Sequence, residues 1–109
     1  MDNKLQKAIQ LFQNKKFAKS QLILKKINTS KPTYASVELE AVCLAEQKQF
    51  KLAAIKFEQS LLLSSNKTEK TNAINNLAST YLKVNDWKLA AKHLEEIVTL
   101  GSNTASFEA

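Results

Sequence analysis

The sequence predicts an all-α domain built from three antiparallel helix hairpins. Two observations carry that expectation. In 109 residues there is a single glycine, Gly101, and a single proline, Pro32, whereas β and α/β folds need many more turn-forming residues. Three stretches also resemble one another: Phe17-Ala18-Lys19-Ser20 with Leu24 and Ile27, Phe50-Lys51-Leu52-Ala53 with Phe57 and Ser60, and Trp87-Lys88-Leu89-Ala90 with Leu94 and Ile97. In each, an aromatic residue is followed three places on by a small one, then by apolar or small residues four and seven places further. That spacing marks one face of a helix. The length suits one domain, and a chain of this size buries roughly two-thirds of the surface it exposes when unfolded. A composition 44% hydrophobic and 24% charged is that of a globular chain rather than a disordered one.

Each unit opens with a helix placed ahead of its aromatic. These first helices carry Ala8 and Leu11, then Ala41 and Leu44, then Leu77, Ala78 and Tyr81. The small residue lets a neighbouring helix come close, and the bulky one fills the space beside it. Polar turns follow at Asn14-Lys15, Gln47-Lys48-Gln49 and Asn85-Asp86, with Asp86 placed to cap the last helix. Between units lie Thr29-Ser30-Lys31-Pro32 and Ser64-Ser65-Asn66-Lys67, where Pro32 suits the start of a new helix. The expected helices are 3–14, 16–28, 33–47, 50–63, 68–84 and 86–99. The units are then 1–32, 33–66 and 67–100, with a tail over 101–109, all in one domain.

On these residues the chain resembles the tetratricopeptide repeat, a helix–turn–helix unit of about 34 residues with small and large residues at fixed places. The third unit, with Asn75-Asn76-Leu77-Ala78, Tyr81-Leu82-Lys83 and Trp87-Lys88-Leu89-Ala90, matches nearly throughout. The second matches at Ala41, Leu44, Phe50, Ala53 and Phe57 but has Glu40 where the family prefers a large apolar residue. The first is the most divergent, with Lys4 and Lys7 at apolar sites, as befits an end unit with one face in water; Pro32 lies where the family closes a repeat. The resemblance covers about residues 3–100 and implies a right-handed α–α superhelix, a solenoid. Coiled-coil heptads are absent.

The resemblance also implies a concave groove, lined by the first helix of each pair, that holds a peptide or helix of a partner protein. Carried onto this sequence, the groove contains Leu5, Ile9 and Phe12, then Ala35, Glu38 and Val42, then Asn72, Asn75, Asn76 and Ser79. Asn72, Asn75, Asn76 and Ser79 recur at helical spacing and form one polar strip, and an amide both donates and accepts, as a peptide backbone requires. Leu5 and Phe12 equally suit packing on the second helix. Arginine is absent, and Leu5, Ile9, Glu38 and Val42 stand where a carboxylate clamp would need basic residues, so a clamp for a C-terminal carboxylate is not expected.

Little catalytic chemistry is on offer. One glycine cannot build a phosphate-cradling loop. Cys43, alone in an apolar run, reads as a buried thiol, and His93 as a surface residue without the three or four convergent ligands that a metal needs. The pairs Glu38/Glu40 and Glu95/Glu96 cannot face each other on a helix and read as solvated. No enzyme activity, cofactor or metal is expected. The lone cysteine suits a reducing compartment, the start lacks the apolar core of a signal peptide, and apolar runs such as 41–45 are too short to span a bilayer. A cytoplasmic scaffold or adaptor is the expected function.

Two other readings stay open. The chain could be a non-catalytic docking or regulatory module from a longer enzyme. Alternatively, residues 1–31, with eight lysines against one acid, could meet an anionic polymer or membrane surface. A solubilising surface explains those lysines more simply, and without arginine the bidentate grip on bases and phosphates is missing. Finally, Ala90, Ala91, Leu94, Ile97 and Val98 make an apolar stripe wider than one hairpin partner needs. The tail is too short for a helix stable alone, so Leu94, Ile97 and Val98 are expected to meet a further repeat or a second copy of the chain.

Overall fold

A computed structural model describes residues 3–86, 88–92 and 95. Five helices follow one another: α1 (Asn3–Gln13), α2 (Phe17–Ser30), α3 (Tyr34–Glu46), α4 (Phe50–Leu63) and α5 (Lys67–Lys83). Residues 88–92 are helical again, and no strand occurs among the described residues. The chain is therefore all-α, and the five expected helices before residue 86 are each present within a few residues of their expected ends. Of the sixth, Asp86 provides the cap: its Oδ1 accepts from the Leu89 amide at 3.2 Å. His93, Leu94, Ile97, Val98 and the tail lie outside the described residues.

Each helix packs on its neighbours in sequence, and α3 also touches α5. The chain doubles back between α1 and α2. Phe12 meets Phe17 edge to face at 5.4 Å between ring centroids, and about one helical turn further from the bend Ala8 meets Ser20. There the Ser20 hydroxyl donates to the Ala8 carbonyl at 2.7 Å, a contact only two small residues permit. Ala41, Ala53 and Ala90 occupy the corresponding places and are likewise buried. One core cluster gathers Ala41, Leu44, Ala53, Phe57, Leu77 and Tyr81, and a second joins Ala8, Leu24 and Cys43. The repeating apolar spacing thus does in space what it suggested in sequence.

The turns repeat as well. After α1 the Lys15 amide bonds to Phe12 O at 2.9 Å and the Lys16 amide to Leu11 O at 2.8 Å. The same pair joins Lys48 to Ala45 and Gln49 to Leu44, and again Asn85 to Leu82 and Asp86 to Tyr81. These are Schellman closures, in which one residue must turn left-handed. That residue is Lys15, Lys48 or Asn85, with φ of 61°, 64° and 62°. Glycine would adopt the conformation without strain, asparagine tolerates it, and lysine tolerates it least. Lys48→Gly is expected to stabilise the domain by about 0.5–1 kcal/mol, and Asn85→Gly by less. Thermal melts of the two variants check the order; a lower Tm for Lys48→Gly would contradict it.

The junctions between units are built differently. Thr33 caps α3 through a capping box with Ser36, and Asn66 caps α5 by accepting from the Glu69 amide at 2.8 Å. Pro32 is therefore not at the first helical position as expected. It precedes the cap, in the extended approach, because Thr33 supplies the side-chain acceptor that proline lacks.

Candidate functional site

Where α3 touches α5, three of the expected groove residues meet. The Tyr34 hydroxyl donates to Glu38 Oε2 at 2.7 Å across one turn of α3. From α5, Asn76 Nδ2 approaches the same oxygen at a long 3.4 Å. Burial is the main cause that pushes the Tyr34 phenol above the usual tyrosine range. The hydrogen bond to Glu38 and the charges of Glu38 and Glu69 add to it, while a hydrogen bond with Asn72 opposes it. Glu38 and Asn72 thus meet at one phenol, and Asn76 reaches Glu38 from α5. Tyr34 and Glu69 were not anticipated; the i to i+4 spacing of Tyr34 and Glu38 is the signal that could have found the first.

The remaining expected residues divide. Asn72, Asn75 and Ser79 are exposed along α5, and Asn76 is half-buried. Ile9 and Ala35 are exposed. Leu5 and Phe12 pack against the second core cluster and Val42 against the first, so much of their surface is committed to holding the helices together. Phe12 also meets Phe17 at the start of α2.

Glu40 corrects the expectation of a solvated carboxylate. It is 1% exposed. Asn28 Nδ2 donates to Oε1 at 2.9 Å, Gln21 Nε2 to Oε2 at 3.3 Å, and Lys56 Nζ stands 3.6 Å from Oε1. Asn28 is itself held: its Oδ1 accepts from the Ser36 hydroxyl at 2.6 Å, and its Nδ2 also reaches Ser36 O at 3.1 Å. The network joins α2, α3 and α4. A buried carboxylate survives only when its oxygens are satisfied in this way. Two residues apart on α3, Glu38 and Glu40 serve opposite faces, one toward α5 and the other toward α2 and α4.

Cys43 is buried as expected. Burial, more than the nearby charges of Glu40 and Glu46, raises its thiol pKa, while a hydrogen bond with Ser20 opposes the rise; the thiolate needed for nucleophilic attack is disfavoured. Among the described residues no three of His, Cys, Asp and Glu are grouped to hold a metal ion, and no helix is long and apolar enough to cross a membrane. Compared with protein-family models, curated proteins and solved structures, the chain matches none.

Proposed function

We propose that this chain is a tetratricopeptide-like module, a right-handed α–α superhelix whose concave face, along α1, α3 and α5, holds a peptide or helix of a partner protein. The observation that carries the reading is the meeting of Tyr34, Glu38, Asn72 and Asn76 where α3 touches α5. Three equivalent Schellman turns and small residues at equivalent helix contacts support the repeat. The exposed amides of Asn72 and Asn75 present donors and acceptors to a main chain, and Tyr34 holds the Glu38 carboxylate in place for a donor on the ligand. The buried thiol suits the reducing cytoplasm.

The test replaces Asn75 and Asn76 together by alanine in the full chain. Partner affinity, measured on a protein captured by the unaltered chain and then purified, should fall about tenfold or more. Stability should move by less than about 0.5 kcal/mol, because the Asn75 side chain faces solvent and Asn76 makes only a long contact. Unchanged affinity would place the partner elsewhere.

A further inference from the structure

A second recessed surface lies away from that groove, between the C-terminal halves of α2 and α4. It is a cleft of about 440 Å³ walled by Val37, Leu62 and Leu63, with Lys25, Asn28 and Lys56 among its polar lining residues. Leu62 is 85% exposed and Leu63 40%. A leucine so bare at the mouth of a cleft is an apolar contact left unmade. The opposite wall, on α2, presents Lys25 among the neutral Asn28 and Thr29, and no acidic side chain lines the cleft. Between residues 3 and 37 there is no Asp or Glu, so the surroundings of Lys25 on α2 are basic without a compensating acid, Lys26 and Lys31 lying close by in the chain. The buried Glu40 ties the two walls together from behind, through Asn28 of α2 and Lys56 of α4.

We infer that this cleft receives an acidic amphipathic helix of a partner protein, its apolar side chains on Leu62 and Leu63 and its carboxylates toward Lys25 and Lys56. Charge complementarity selects the occupant. A second copy brought face to face would set lysines against lysines, which disfavours self-docking here. A bilayer is flat and meets protruding apolar side chains, whereas these leucines line a recess between two helices, the setting in which a helix lays its apolar face. The inference is independent of the concave groove.

The experiment uses the full chain and a fluorescent synthetic peptide in which leucine and phenylalanine recur at helical spacing among glutamates. A second peptide carries glutamine for every glutamate. Anisotropy titration should show saturable binding of the acidic peptide, with the glutamine peptide at least about tenfold weaker. Leu62→Glu and Lys25→Glu should each weaken the acidic peptide by about tenfold or more, while Lys25→Arg retains it. Both side chains are exposed, so the variants keep the fold, which circular dichroism verifies. The double replacement of Asn75 and Asn76 by alanine should leave this binding unchanged. No saturable binding, equal binding of the two peptides, or indifference to Leu62→Glu would overturn the inference. So would loss of binding in the Asn75/Asn76 variant. Capture by phosphatidylserine vesicles with the peptide ignored would assign the face to lipid instead. Dimerisation abolished by Leu62→Glu would assign it to a second copy, and either result overturns it.

Discussion

Glu40→Ala should cost the domain about 2–3 kcal/mol, read as a lower urea midpoint in denaturation followed by circular dichroism. The carboxylate is buried, and three groups from two other helices converge on it. Removing it leaves a void and strips Gln21 of its acceptor. Lys56, whose side chain is partly exposed, can turn back to water, which keeps the loss below that of a fully buried pair. Asn28 retains Ser36 O. Glu40→Gln fills the volume and keeps an acceptor, so its loss should be the smaller of the two. A Glu40→Ala variant within about 0.5 kcal/mol of the unaltered chain would show that the network adds nothing to stability.

Glu40 also shows what the sequence could not disclose. The helices and their small-residue contacts were legible because each rests on a pattern within one stretch of chain. Ala8, Ala41, Ala53 and Ala90 stand at repeated places and are all buried. Glu40's partners lie on α2 and α4, outside any local pattern, and a glutamate in a helix carries no mark of burial. The candidate groove was legible in the same partial way. Helical spacing put Asn72, Asn75, Asn76 and Ser79 on one strip, but only contact between α3 and α5 brings Tyr34 and Glu38 to it. At the other end, spacing alone could not say whether Leu5 and Phe12 face a ligand or α2. The edge-to-face contact of Phe12 with Phe17 decides for α2 in the case of Phe12. The turns holding Lys15, Lys48 and Asn85 were legible from their polarity, but their left-handed backbone was not, because two of the three are lysines, where glycine would have announced it.

Enlarging the small residues at the helix contacts is the second large effect. Ala53→Leu and Ala90→Leu should each destabilise the domain by about 1–3 kcal/mol, since the extra methylenes must be met by off-rotamer side chains or by helices moving apart. Ala53 is fully buried beside Phe57, Leu44 and Leu77, and Ala90 joins the same cluster. Ala18→Leu, on an exposed position of α2, should move stability by less than about 0.5 kcal/mol. Denaturation midpoints of the three variants make the comparison. If Ala53→Leu and Ala90→Leu behaved like Ala18→Leu, those alanines would not set the approach of the helices.

The neighbour-to-neighbour arrangement of the helices also bears on how the chain acquires and loses its structure. Helix pairs close through turns of a few residues, so little chain entropy is spent before contacts form, and topologies of this kind reach the native state in microseconds to milliseconds. Loss of structure need not be all at once. Helix α1 rests chiefly on α2, whereas α3 is held by α2, α4 and α5. Fluctuations that release α1 should leave the middle of the domain intact, with amide exchange slowing from the first helix toward the third. Tyr34 and Glu38 sit on that most firmly held helix.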